Sequence, residues 1–273
     1  MRRVFGFTLV EMIVVIAITG IIAAAVAVFI RYPVEGYGDA VRRAELTDAA
    51  DVALRRIARD VRLALPNSLR VMTAGGIHYV EFIITQSGGR YRDPTDGSTG
   101  GNFLDFTNAA DTSFDVLGTL PLMAANDFIV IYNLGVPGSD AYIGNNRAQI
   151  QAVAGNTVTL TANPFAAQAP PLPSPGARFQ VVPGVERAVS YACPQTGVRP
   201  PGNLTRHWNY GFNPAQAVPA GGSTALLAGN VTCEVDYSGN ATGRNGLLYI
   251  SLALTSGGET VTLFNQIHVD NSP

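Results

Sequence analysis

From Met12 to Ile30 the chain runs nineteen residues without a charge, MIVVIAITGIIAAAVAVFI. A stretch of that length and composition is enough to cross a bilayer as one helix, which takes roughly 20 apolar residues. Arg2 and Arg3 precede it and Glu11 sits at its edge. A secretory signal peptide also opens with positive charge and an apolar core, but its cleavage site follows the core. Here the candidate cleavage point, Gly6, lies before the core, so processing would leave the apolar helix on the mature chain. A carboxylate at mid-membrane costs about 2.5–3.5 kcal/mol on insertion scales, so Glu11 calls for a partner.

The run Gly6-Phe7-Thr8-Leu9-Val10-Glu11 resembles the class III signal of type IV prepilins and pseudopilins. The resemblance implies cleavage between Gly6 and Phe7 by a prepilin peptidase on the cytoplasmic side, and N-methylation of the new amino terminus at Phe7. It also implies that Glu11 pairs with the terminal amine of a neighbouring subunit during assembly. The competing reading is an ordinary signal anchor with a chance glutamate.

Removing residues 1–6 leaves a chain still long enough for one large domain or two small ones. All 18 basic residues are arginine, from which no function follows. No basic block lies outside the helix, which argues against a nucleic-acid partner bound through a cationic face. With Arg2 and Arg3 held inside, the remainder faces out. In a bacterium that compartment is the periplasm, where a Cys193–Cys233 disulfide can persist. Such a bridge is worth about 4 kcal/mol by loop entropy; the alternative is two buried free thiols.

After Arg31, Tyr32 and Pro33, an interfacial set, the pattern turns amphipathic. Leu46, Ala50, Ala53, Leu54, Ile57, Val61 and Leu65 recur at helical spacing. Asp39/Arg43, Asp51/Arg55 and Arg56/Asp60 are four apart and can meet on the helix surface. Pro33 is a candidate kink and Pro66 a stop. The expectation is a helix over 7–65, transmembrane over 7–30 and an amphipathic spine over 31–65, about 87 Å long if nearly continuous.

Residues 66–273 read as a β-rich periplasmic head. Expected strands are Ile77–Ile84, Asp127–Tyr132, Arg147–Val153 with Asn156–Thr161, Ala177–Val182, Val185–Ala192, and a long closing hairpin, Leu247–Leu254 with Glu259–Val269, around Ser256-Gly257-Gly258. Two loops, Ser87–Gly101 and Ala166–Gly176, are expected to be without regular structure. No second apolar run long enough to span appears. The fold class is therefore α+β: a long N-terminal helix on a large antiparallel sheet.

Within the pilin-like group, Ala64-Leu65-Pro66-Asn67-Ser68, Gly89-Arg90-Tyr91-Arg92, the run from Ser174 to Val182, Val189-Ser190-Tyr191-Ala192-Cys193 and Gln266-Ile267-His268-Val269-Asp270-Asn271 resemble minor pilins of the mannose-sensitive haemagglutinin (MSHA) pilus, the MshO type. Tip-type pseudopilins of type II secretion share the plan. The sequence departs from the best-known major pilins in lacking a proline inside Met12–Ile30, and its cysteines do not close the C-terminal end. The resemblance implies a minor subunit; the bulk of a head of about 200 residues and the long loops Ser87–Gly101 and Ala166–Gly176 add the expectation of a low-copy position at the tip or in the initiation complex rather than in the shaft. Its partners would be the major pilin, other minor pilins, the peptidase and methylase, the inner-membrane assembly platform and the inner membrane itself.

Catalytic constellations are sparse. His78, His207 and His268 are scattered, and no G-x-S-x-G, P-loop, HExxH or CxxC occurs. Asp93-Pro94-Thr95-Asp96-Gly97 has part of a calcium loop but lacks its carboxylate ladder. The expectation is a solvated turn, with a Ca²⁺ at Asp93 and Asp96 as the lesser alternative and no other cofactor. His207, Trp208, Tyr210 and Phe212 between the cysteines read as packing or as a contact surface. The expected role is assembly, not catalysis, with an adhesin head on a pilin helix as an alternative.

Overall fold

The computed structural model describes residues 6–94, 100–239 and 245–273. One helix, α1 (Leu9–Arg62, 54 residues), dominates it. At 1.5 Å per residue it is about 81 Å long. Thr8 is its N-cap and closes a capping box with Glu11, satisfying two otherwise orphaned backbone donors. The helix runs on through Pro33. It ends at Arg62, three residues short of the expected boundary. The N–H groups of Leu63 and Ala64 turn back onto the carbonyls of Asp60 and Val61, and Ala64 is already bridged to Ile84.

Thirteen strands follow among the described residues: β1 (Arg70–Ala74), β2 (Ile77–Ile83), β3 (Ser87–Tyr91), β4 (Ser113–Leu117), β5 (Phe128–Val130), β6 (Arg147–Ala154), β7 (Thr157–Leu160), β8 (Arg178–Val182), β9 (Ala188–Pro194), β10 (Gly202–Trp208), β11 (Ser223–Ser238), β12 (Asn245–Ser256) and β13 (Glu259–Asp270). They form a seven-stranded sheet in the order β1-β2-β9-β10-β11-β12-β13 and a closed barrel in the order β3-β4-β7-β6-β5-β8. Every pairing between these strands is antiparallel. The α+β architecture is pilin-like, but the head holds a sheet and a barrel where the sequence suggests a single sheet.

The second half of α1 lies on one face of the sheet. Ala50, Ala53, Leu54, Ile57 and Val61 are buried with Phe82 of β2 and Val189 of β9. The same cluster takes in Ile250, Leu252 and Leu254 of β12, and Ile267 and Val269 of β13. Ile57 is wholly buried, and truncating it to alanine would cost about 2–5 kcal/mol. The barrel has its own aromatic core, with Tyr91, Phe114, Phe165 and Phe179 buried together. A third cluster joins the two bodies: Leu65 after the helix, Ile83 and Ala188 from the sheet, Val130 and Val182 from the barrel.

Several expectations need correction. Residues 87–91, expected to be irregular, form β3. Its glycines serve close approach: a Cβ on Gly88 would stand 2.7 Å from Gln180 Oε1, and one on Gly89 would stand 2.7 Å from Phe179 Cζ. The strand expected from Val185 begins at Ala188, because residues 183–187 make a turn closed by Arg187 N–H on Pro183 O. The strands β1, β4, β10 and β11 are additions to the expected set. In β11 a Gly229-Asn230 pair, with Asn230 at φ 52°, sits near a register shift against β10 and breaks the alternation that a strand normally shows. The closing hairpin is as expected but longer, turning through Gly257 and Gly258 at φ +57° and +86°, the left-handed pair that a two-residue hairpin turn requires.

Candidate assembly site

The N-terminal half of α1 packs no described apolar side chain against the head. Every residue from Gly6 to Tyr37 whose side chain is described is exposed, including Phe7, Leu9, Ile16, Ile21 and Phe29. Within this apolar stretch Thr19 Oγ1 donates to Val15 O at 2.6 Å, which keeps the hydroxyl satisfied inside the helix. Among the described residues this is the one helix long and apolar enough to cross a membrane. An apolar surface of this extent is unstable in water, and it is consistent with membrane anchoring.

Gly6 and Phe7 precede the first helical turn and are exposed, so the peptide bond between them is open to an enzyme. Glu11 lies in the first turn. Its Oε2 accepts from Thr8 N at 3.2 Å and from Thr8 Oγ1 at 3.3 Å. The carboxylate is thus held beside the helix N-terminus, where the helix dipole favours negative charge, and within one turn of Phe7.

The spine half is tied to the head by charge as well as by packing. Asp60 is buried, and Arg206 Nε on β10 donates to its Oδ2 at 2.8 Å. Tyr191 OH on β9 donates to the same oxygen at 2.8 Å, and Arg56 stands 3.2 Å from Oδ1. Arg206 also reaches Glu186 Oε2 at 3.1 Å. Burial, with the Asp60 charge beside it, pushes the Tyr191 phenol well above its ordinary range. Arg55 pairs with Asp51 at 2.6 Å as the spacing predicts. The expected Asp39/Arg43 pair is replaced: Asp39 meets Arg42, and Arg43 reaches across to Glu259 at 2.9 Å. The hydrogen bond from Arg43 holds the Glu259 carboxyl below its usual value.

Cys193 and Cys233 are bridged, with Cα atoms 6.0 Å apart. Beyond the start of β10, the end of β9 meets β11 directly through a bridge between Gln195 and Cys233, and the disulfide staples the sheet there. The aromatics between the cysteines are packing. Trp208 lies against the main core, while Tyr210 and Phe212 join the cluster between sheet and barrel. Tyr210 OH donates to the buried Glu81 at 2.8 Å.

The histidines do not converge. His78 Nδ1 is 2.8 Å from Thr73 Oγ1. His207 sits between Thr205 and Thr224, with ring nitrogens 2.8 and 2.9 Å from their hydroxyls. His268 is exposed on β13. Burial lowers the pKa of both His78 and His207. Among the described residues no group of three or more His, Cys, Asp or Glu could hold a metal. Asp96 of the calcium-loop reading lies outside the described residues.

Residues 1–27 match the prokaryotic N-terminal methylation motif. No curated protein and no solved structure matches the chain significantly. The motif, carried on a long helix packed against antiparallel sheets, supports a type IV pilin-like protein, a class that includes pseudopilins. It implies processing by a prepilin peptidase and assembly with other pilins, and it points to a structural rather than an enzymatic role.

Proposed function

We propose that this chain is a minor pilin of an MSHA-like type IV pilus, of the MshO type, acting in filament initiation at or near the tip. The observation that carries the reading is the union of a methylation motif with a helix half exposed and half locked to a head. The peptidase cuts between Gly6 and Phe7, Phe7 is methylated, and the chain waits in the inner membrane with its head in the periplasm. Glu11 then leaves its cap on Thr8 and pairs with the terminal amine of a neighbour as the helix is extracted into the filament core.

Size supports the position. A head of about 200 residues has a radius of gyration near 16–17 Å, and its barrel adds bulk beside the sheet that a densely repeated shaft would have to accommodate. A low-copy subunit escapes that constraint. The motif match is confined to residues 1–27, a segment that pilins and pseudopilins share, so a tip pseudopilin of type II secretion is the competing reading. Quantitative mass spectrometry of purified pili tests the proposal. Low-copy presence is expected; near-stoichiometric abundance refutes the tip position, and recovery only with secretion pseudopilins favours the competitor.

A further inference from the structure

Where the sheet meets the barrel, two arginines crowd one aromatic ring. Arg147 opens β6, and its guanidinium carbon is 3.7 Å from the ring centroid of Phe212 and 5.6 Å from that of Phe128. Arg187, in the turn before β9, also stands 5.6 Å from the Phe128 centroid. The two rings meet edge to face with centroids 5.2 Å apart, and all four side chains are half-buried. Neither arginine makes an ion pair with a described residue. Arg147 Nη1 donates to Ala141 O, and Arg187 Nε donates to Gly184 O at 2.8 Å. Their other nitrogens have no hydrogen-bond partner among the described residues. The nearby acids are engaged elsewhere: Asp140 by Tyr142 N–H, Asp127 by the N–H groups of Gly184 and Ala124, and Glu186 by Arg206.

Two cations beside one ring repel each other. Burial, and after it the charge of Arg187, pushes Arg147 down to about 10, with Asp140 offsetting only part of the effect. A single arginine stacked on these rings gains the cation–π attraction; a second brings like charge with it. Arg187 is also held at φ 59°, a left-handed conformation that glycine and asparagine adopt more readily. An anion placed between the two guanidiniums turns the repulsion into attraction.

We propose that Arg147 and Arg187 form a binding site for a small carboxylate carried on an apolar body. The unused N–H groups of the two guanidiniums grip its oxygens, since the planar fork of arginine matches a planar carboxylate. The faces of Phe128 and Phe212 that remain open receive the body of the ligand. Those aromatic walls disfavour a phosphate or sulfate, which would lose hydration on every side without gaining apolar contact. An aspartate of a neighbouring subunit offers the same carboxylate but little apolar body to lie against the rings. The site belongs to the head alone and does not depend on the filament position proposed above.

Thermal unfolding tests it. The full-length chain in uncharged detergent is melted with Trp208, the sole tryptophan, as reporter. Sodium benzoate and sodium phosphate are each compared with sodium chloride of equal ionic strength. Benzoate should raise the midpoint saturably, by about 3 °C or more at about 50 mM, and phosphate should not. Arg187→Asn suits the left-handed backbone, so it should keep the midpoint measured in chloride and lose the benzoate shift. Arg147→Gln should lose the shift as well; if that variant does not fold, Arg187→Asn decides. Arg90→Gln removes an exposed charge elsewhere on the barrel and should retain the full shift, which separates the site from a general loss of charge. A benzoate shift that survives Arg187→Asn overturns the site. An equal shift in phosphate overturns the carboxylate class, and no shift in the wild-type chain overturns the small ligand. In that last case, failure of processed Arg187→Asn to enter filaments would assign the pair to an acidic side chain of a neighbouring subunit instead.

Discussion

Asp60 offers the sharpest test of how the spine is held to the head. Replacing it with alanine removes the acceptor for Arg206 and Tyr191 and the partner of Arg56, all at 2.8–3.2 Å. Arg206 has a side chain only 5% exposed and keeps just the partly exposed Glu186. Stranding one member of a buried pair costs about 3–5 kcal/mol. With a urea m-value of about 1–3 kcal/mol/M, larger for larger proteins, the midpoint should fall by roughly 1–2 M. Urea unfolding of the detergent-solubilised chain can be followed through Trp208, the sole tryptophan, whose ring centroid is 5.0 Å from the Arg206 guanidinium carbon. Asp51→Ala on the same helix breaks an exposed pair with Arg55 and should change stability by less than about 1 kcal/mol. The double variant Asp60→Leu with Arg206→Met removes both charges and should recover most of the loss, since an apolar replacement of a buried pair is often neutral. A midpoint shift for Asp60→Ala no larger than that for Asp51→Ala, or a double variant as unstable as the sum of the singles, would refute the argument.

Gly6→Val should retain residues 1–6, whereas intact mass of the wild-type chain should place its N-terminus at a methylated Phe7; an unprocessed wild-type chain in membranes would sink the cleavage assignment. Glu11→Gln should insert and be cleaved yet enter filaments poorly, and normal incorporation measured by immunoblotting of sheared pili would remove the pairing role. Cys193→Ser or Cys233→Ser should lower the stability of the head by about 2–5 kcal/mol without affecting membrane insertion, as read by urea unfolding and fractionation. His207 has a folded-state pKa lowered by burial, so its contribution is present above the ordinary histidine value of about 6.5 and is lost as pH falls from there through the lower folded value. Stability should therefore decline as pH falls below about 6.5, and His207→Gln should flatten that part of the profile; an unchanged slope would assign the dependence to other groups.

The long helix is legible because its signals are local: an uncharged run, then apolar residues at helical spacing, then Pro66. The closing hairpin is legible for the same reason, through alternation and a Gly257-Gly258 turn. What escapes depends on distant neighbours. The glycines of β3 look like loop residues until Phe179 and Gln180 are placed over them. The length of β11 is hidden by a Gly-Asn pair that only its partner strand explains. Closure of a barrel has no local signature at all. At the assembly site, Gly6, Phe7 and Glu11 can be read from the motif, and the disulfide from topology. The Asp60–Arg206 lock cannot, because its members are separated by 146 residues and Asp60 reads equally well as half of a surface pair with Arg56.

The staple between Cys193 and Cys233 also bears on how the head responds to mechanical load. A filament subunit under tension is pulled through its helix, and strands that peel from a sheet lengthen the chain and dissipate force. The bridged cysteines are 40 residues apart, a segment that could otherwise extend by about 140 Å at roughly 3.5 Å per residue. That contour, which includes all of β10 and much of β11, is withheld from stretching while the bond is intact. The head can therefore yield under force only outside the stapled loop, and the centre of the sheet on which the helix rests stays closed.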